Sequence, residues 1–467
     1  MNESRALQLA RLDPHQFTIQ YPPSREYFQR SYRTRAGKMD VSELQRILIY
    51  VHIPFCEQKC GYCNFAVEAH SDAARHIRYV DALIKQIHRV HTLLPARTKV
   101  PGIDIGGGTP TMLSSSSLER LLLALRPFLS RTGNPMAVST ETTPRIASEN
   151  PERLRVIVEG GVGRISMGLQ STNDDVLVSV GRGRQGSLGL RAAEAIRKAG
   201  FKRMNVDLIF ALPGQAMADW KQDLDVAIRT GADSVTIYDC LYRGKGRPIS
   251  RDPWHRPGPE DYGRMYDVAF EQLHAHGFHA PYGSVNFSQF GDETGTSLYF
   301  QGRLLDGLPY LGLGSSASSL VGDGWWFAPH RVGKWMEAID HGGTLPQEDV
   351  YRLPIEERMA KYILLTLSFG ILDPSRFLGV FREALEVRYG RALRHALDRG
   401  WIEYQGDLYR IRAGLFDQLP CIRALFYPPR AISWLEARRI SRGKLSPSEC
   451  CERTITRSTV RRVPQRR

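Results

Sequence analysis

Six short runs rich in β-branched residues, alternating with stretches of helical periodicity, constrain this chain more than any other feature. The runs are 47–53 (ILIYVHI), 102–106 (GIDIG), 136–141 (MAVSTE), 163–168 (GRISMG), 204–209 (MNVDLI) and 234–239 (SVTIYD), and each reads as a strand. After the first, Ile77, Val80, Ile84, Ile87 and Leu94 recur at offsets of three, four and seven, so the spacing predicts a helix with these residues on one face. Similar patterns run through 117–129, 188–199, 217–229 and 260–276. Strands separated by whole helices must be mostly parallel, because an antiparallel return needs only a hairpin. Six such units predict an α/β fold, a partial (β/α)6 TIM-like barrel. Functional residues of such barrels gather at the C-terminal ends of the strands.

The flanks have another character. Residues 1–45 read as a polar lead-in whose aromatic patch, Tyr21 with Tyr27-Phe28, is expected to close over a substrate. The barrel and its extension are assigned to 46–345. Helical patterns at 354–367, 374–388 and 390–398 precede GWIEYQGDLYRIR, a two-strand hairpin, so 346–435 read as a helical, winged-helix-like module. A lid is the favoured role for it over DNA binding. Residues 436–467 hold nine Arg and one Lys against three Glu, half of the net charge of +14. A terminal block of this kind is a solvated, disordered tail. No basic patch interleaved with aromatics occurs elsewhere, so nucleic acid is not an expected partner. No 18-residue apolar stretch is present, which argues against a membrane span, and the N-terminus lacks a signal-peptide layout. A cytoplasmic location is the expectation.

The chain has seven cysteines, an odd number, which argues against a disulfide framework. Cys240, Cys421, Cys450 and Cys451 are scattered, and the first two read as core or surface residues. Cys56, Cys60 and Cys63 fall within eight positions, in the loop after the first strand. Soft thiolates favour iron–sulfur clusters or zinc. A closed zinc site needs a fourth ligand, which His52 offers only from the strand itself. Three thiolates on a four-iron cluster leave one iron open, as chelation of S-adenosylmethionine (SAM) by its amino and carboxylate groups requires.

The companions of this triplet also sit at strand ends. Gly106-Gly107-Gly108-Thr109-Pro110-Thr111 closes the second strand, where glycines let the backbone approach a ligand closely. Glu141 ends the third strand, Gln170 and Arg182 follow the fourth, and Asp207 lies on the fifth. Carboxylates suit ribose hydroxyls and an ammonium, and Arg suits a carboxylate. From about residue 20 to 420 the chain resembles the oxygen-independent coproporphyrinogen III oxidase (HemN-like) family of radical SAM proteins, whose entry to the cluster matches Tyr50-Val-His52-Ile-Pro-Phe-Cys56. The resemblance implies a [4Fe–4S] cluster on Cys56, Cys60 and Cys63. It places Tyr50 against the sulfonium of bound SAM and Tyr62 beside the same molecule. It assigns Gly107, Gly108 and Thr109 to the methionine part, and Glu141, Gln170, Arg182 and Asp207 to its adenosine and methionine groups. The family's oxidases hold a second SAM through a Phe-Gln-Gly segment and a following Gly-rich turn. Here Phe300-Gln301-Gly302 and Leu311–Ser318 stand in those places, which implies a second site at Phe300, Gln301 and Ser318.

One departure matters. The oxidases carry a fourth cysteine two residues after the third, where this chain has Asn64-Phe65. The haem-chaperone branch also lacks it, and so do the class C radical SAM methyltransferases with their cyclopropane-forming relatives. The expectation drawn is an enzyme that cleaves one SAM to a 5′-deoxyadenosyl radical. It then uses a second SAM as methyl or methylene donor to an sp2 carbon of a small aromatic substrate. Coproporphyrinogen dehydrogenation and haem chaperoning are the alternatives, and an electron donor of flavodoxin or ferredoxin type is implied. For haem, His255, His276 and His279 are conceivable axial ligands, although histidines flanking helices are more often surface groups. Tyr238, Tyr242, Trp254, Tyr282 and Phe287 are expected to wall the substrate side.

Overall fold

The computed structural model describes residues 2–13, 17, 21, 25–35, 37, 39–240 and 259–441. Tyr242, Trp254, His255, Cys450, Cys451 and most of the basic tail lie outside the described residues.

The expected strands form within a residue or two of their sequence bounds. They are β1 Leu48–Ile53, β2 Ile103–Gly107, β3 Val138–Thr142, β4 Arg164–Gln170, β5 Arg203–Phe210 and β6 Ser234–Asp239, parallel throughout. β7 Asn286–Ser288 pairs antiparallel with β6 and ends the sheet on that side. The sheet is open, a partial barrel with two chemically different faces. Ile49, Val51, Ile105, Ile165, Met167, Val206, Leu208, Val235 and Ile237 lie buried in the cores under the helices. The alternate positions are polar and bonded to one another across the strands. Arg164 donates to Ser139 at 3.3 Å, Ser166 to Asp207 at 2.7 Å, and Ser234 and Thr236 both donate to Asn205 Oδ1. Period-2 alternation thus builds a polar lumen against an apolar back.

Helix Ala73–Leu93 is capped by Asp72, which accepts from the Arg75 N–H at 2.7 Å. Val80, Leu83, Ile87 and Val90 form its buried face. Ile77 falls off that face and is 45% exposed, a departure from the expected stripe.

The other edge was not legible. The Gly-rich run read as a turn is a strand, β8 Tyr310–Leu313, parallel to β1. β9 Ser318–Val321, β10 Gly324–Phe327 and β11 Asp349–Arg352 follow as an antiparallel wing, so the sheet continues past the boundary expected at 345–346. Gly312 permits the tight β8–β9 return, since a Cβ there would lie 2.4 Å from the Ser318 carbonyl oxygen. Arg33–Thr34 of the lead-in adds a last pair beside β11.

The lead-in is not a loose flap. Helix Asn2–Leu12 packs on helices Leu419–Ala424 and Pro429–Ser441. Tyr21, Tyr27 and Phe28 are buried against Tyr427, Trp434, Trp325 and Tyr351. A buried phenol needs an acceptor, and three of them share one: Tyr21, Tyr27 (2.5 Å) and Tyr32 (2.7 Å) all donate to the Glu357 carboxylate. This need draws the patch onto the C-terminal module and away from a lid role.

The module itself has helices Ile355–Thr366, Pro374–Phe381 and Leu385–Asp398 and a small sheet of Ile371–Leu372, Leu408–Ile411 and Ile402–Gln405. The second helix stops at Arg382, whose left-handed φ of 57° ends it well short of the expected 388. Tyr282 and Phe287, expected to face substrate, are instead core residues. Tyr266 stacks on Phe416 at 3.7 Å, and Tyr282 meets Tyr266 edge-on. No helix of the described residues is long and apolar enough to cross a membrane.

Candidate active site

The cysteine loop leaves β1 and is held as a tight knot. Phe55–Cys56 pairs with Glu68–Ala69, and the Gly108 and Thr109 N–H groups donate to the Ile53 and Phe55 carbonyls, each at 2.8 Å. Gly108 is required at its position: a Cβ would stand 2.5 Å from the Phe55 oxygen and 3.0 Å from Cys56 Sγ. Gly107 has φ 115° and abuts the His52 ring. His52 Nε2 lies 3.0 Å from the Ala66 carbonyl, and burial lowers its pKa to about 4, so it is a neutral, engaged ring.

Cys56, Cys60 and Cys63 are free thiols facing one region. Burial pushes Cys56 up to about 11 and raises Cys63, so thiolates here call for a cationic partner. Among the described residues no three Cys, His, Asp or Glu donors converge on one point. A single zinc ion needs that convergence, with sulfurs about 2.3 Å from the metal. A four-iron cluster takes its thiolates at separate corners, and three soft donors from one loop suit that larger group.

Behind the loop, Arg182 ties cluster and barrel together. It donates to Tyr62 Oη at 3.0 Å and to the Gly168 carbonyl, and it lies 3.9 Å from Cys60 Sγ. Gln170 adopts φ 69°, unusual for a side chain of its size. Gln170 Oε1 and Arg182 Nε are both buried without a hydrogen-bond partner. Such orphans at strand ends beside three thiols mark a place where a ligand supplies the missing bonds.

Glu141 and Asp207 complete the expected set from the strands on either side of β4. Burial, then Asp207 and Asp104, push Glu141 up to about 8, and its Oε1 would be 2.9 Å from a Cβ on Gly106. Asp207 is raised by burial although Ser166 and Asn205 donate to it. Tyr50 points to the same lumen, with its Oη 3.4 Å from His52 Nδ1. Tyr238 is 40% exposed on a central strand, yet burial raises its phenol. Of the expected wall, Tyr238 alone is found at the lumen among the described residues.

The structure does not bring Gln301 to this end of the barrel. Ser297 caps the short helix Leu298–Leu304, whose Gly302 packs on Leu48. Tyr299 and Arg303 then turn inward. Leu298 and Gln301 line a cavity of about 240 Å³ with Arg46, Pro101, Thr132 and Asn134, at the N-terminal ends of the strands. Phe300 is 37% exposed, and Ser318 begins β9. Sequence reasoning missed Asp104, which accepts from Ser297 at 2.8 Å and has a raised pKa of about 7 through burial. Its signal was a lone acid inside an apolar strand. His276 and His279 are exposed.

Comparison with known proteins now decides the family. Residues 50–227 match the Radical SAM superfamily. The chain is a HemN-like radical SAM protein. The heme chaperone HemW of Bacillus subtilis (strain 168) is 28% identical over 350 residues, 74% of this chain and 87% of the relative. The anaerobilin synthase of Escherichia coli O157:H7 is 27% identical over 302 residues, 63% of this chain and 65% of the relative. Coproporphyrinogen III oxidase (HemN) from Escherichia coli superimposes with a TM-score of 0.71, covering 85% of this chain and 94% of its own, at 20% identity. That likeness shows the fold, and the membership of this radical SAM family brings a [4Fe–4S] cluster and SAM as cofactors. None of these relatives is named for methyl transfer, so the expected second-donor chemistry finds no support among them.

Proposed function

We propose that this radical SAM enzyme acts on a tetrapyrrole, with one SAM at the cluster and the tetrapyrrole in the lumen beside it. The observation that carries the reading is the likeness over most of the chain to proteins named for haem and coproporphyrinogen, while Gln301, lining a cavity at the N-terminal ends of the strands, weighs against methyl transfer. Methyl transfer between two SAM molecules needs the second donor next to the first.

When bound, the cluster and SAM supply a 5′-deoxyadenosyl radical. The chain's own residues do the rest by position. Gly106 to Gly108 let the backbone meet the ligand, Arg182 and Gln170 offer their unpartnered atoms to it, and Glu141 and Asp207 receive its hydroxyl and ammonium groups. A flavodoxin- or ferredoxin-type donor delivers the electron.

The test uses the full chain, reconstituted anaerobically and supplied with methyl-deuterated SAM and either haem or coproporphyrinogen III. A tetrapyrrole-dependent rise in unlabelled 5′-deoxyadenosine is expected, with a Soret shift on haem binding. Deuterium in the 5′-deoxyadenosine would overturn the reading in favour of methyl transfer. Binding without 5′-deoxyadenosine would keep the tetrapyrrole and remove the turnover, as for a chaperone.

A further inference from the structure

The antiparallel wing carries a second polar centre that the strand-end set does not use. Tyr310 is in register with Leu48 and Leu320, and Leu320 with Trp325, so Tyr310 and Trp325 share the inner face of the sheet. Helix Ile355–Thr366 brings Lys361 Nζ to 5.2 Å from the centre of the Trp325 ring. The Arg303 guanidinium lies 4.6 Å from the centre of the Tyr310 ring. Lys361 is 6% exposed, and among the described residues no carboxylate pairs with it or with Arg303. Arg303 Nε, Tyr310 Oη and Trp325 Nε1 are each buried without a well-formed hydrogen bond, although the Trp325 indole and the Ser318 hydroxyl approach Tyr310 and the Arg303 guanidinium approaches Tyr299. Asp104 also feels Arg303; its Oδ2 accepts from Ser297 and its Oδ1 has no partner.

Two buried cations, a phenol and an indole N–H therefore face one region with donors to spare. Burying unpaired charge is costly, and burial already lowers Lys361 to about 8. The complement of such a set is a group that only accepts hydrogen bonds and carries negative charge. We propose that Arg303, Tyr310, Trp325 and Lys361 form a carboxylate-binding site at the base of the lumen, below Tyr50. The carboxylate belongs either to a propionate arm of the tetrapyrrole, which rests on the function proposed above, or to the amino-acid end of a second SAM molecule, separate from the one at the cluster.

Lys361→Met and Arg303→Met in the full, cluster-loaded chain separate these sources. The probes are coproporphyrin III, its tetramethyl ester and SAM, each titrated alone. If a propionate is the ligand, the unmodified chain binds the free acid about tenfold or more tighter than the ester, and both variants lose that preference. If SAM is the ligand, its affinity falls about tenfold in both variants while any preference for the free acid persists. Lys361→Met should melt no lower than the parent chain without ligand, because an unpaired buried cation is gone, and this establishes that the variant folds. Unchanged affinity for free acid and for SAM in both variants overturns the site. An unmodified chain that binds neither porphyrin would bring down the tetrapyrrole reading alone, since the SAM titration still decides the site.

Discussion

The two halves of the inner sheet face solve the same problem differently. In the parallel half, polar side chains satisfy one another: Asn205 alone bonds Ser166, Asp207, Ser234 and Thr236. Around the wing, Arg303, Tyr310 and Trp325 hold atoms without a well-formed hydrogen bond, and Lys361 lies above Trp325 without a carboxylate. The parallel half is a finished scaffold at its centre, and its unsatisfied atoms, on Asp104, Gln170 and Arg182, lie near or beyond the strand ends. The wing is unfinished along its face. A satisfied network rigidifies, and an unsatisfied one is held ready by the fold around it. Precise chemistry therefore belongs to the first half and recognition to the second.

The largest expected effect strikes the finished half. Gly108→Ala puts a methyl group 2.5 Å from the Phe55 carbonyl and 3.0 Å from Cys56 Sγ, and the backbone on one side has nowhere to go. We expect cluster incorporation, read as bound iron and sulfide, to drop severalfold, with a stability loss of about 1–3 kcal/mol. Wild-type iron content in this variant would mean that the cysteine loop is more compliant than its packing indicates. The wing is tested at its anchor. Glu357→Ala leaves Tyr21, Tyr27 and Tyr32 without their shared acceptor. Chemical denaturation should register a loss of about 2–4 kcal/mol, with iron content unaltered. A matching loss of iron would erase the distinction between the two halves.

Legibility followed the same division. The strands and the cysteine loop were readable from local order; Glu141 and Gln170 lie at strand ends, whereas Asp207 sits mid-strand and Arg182 lies beyond the helix that follows β4. Lys361 sits in a run, Met359 to Leu365, that reads as an ordinary amphipathic helix with a solvated lysine. What buries it is the wing together with a lead-in joined to that helix across 330 residues, as in the Tyr27–Glu357 bond. Short strands such as Tyr310–Leu313 carry too few residues for a period to declare itself. Gln301 was recognisable as a motif, but its direction is set by the Ser297 cap and by Gly302 against Leu48. No local pattern encodes that direction.

A smaller effect concerns charge in the lumen. Burial holds Glu141 at about 8 and Asp104 at about 7, both far above their ordinary values. Acids raised in this way favour the fold while neutral, and their contribution is lost as pH climbs through the folded values. The ligand-free chain should therefore lose melting temperature between about pH 5 and 9. Glu141→Gln, neutral throughout, should lose less, with the gap in its favour widest at the alkaline end. Parallel pH profiles for the two proteins would show that the lumen is wet enough to screen the carboxylate.

The smallest effect sharpens the contrast between glycines. Gly322, in the β9–β10 turn, has φ 61° and nothing within 4 Å of where a Cβ would stand. Alanine there meets only the intrinsic penalty of a left-handed backbone, about 1–2 kcal/mol. Gly108 has no positive φ and is constrained wholly by its neighbours. Gly322→Ala should thus lower the melting temperature slightly while leaving iron content and SAM binding intact. Replacing Gly322 by Asn, which tolerates this conformation better, should recover part of that loss. Asn at Gly108 should recover nothing, because there the obstacle is the space occupied by the Phe55 carbonyl and the Cys56 sulfur. If Asn rescues both positions equally, steric closure around the thiolates is not what fixes the loop.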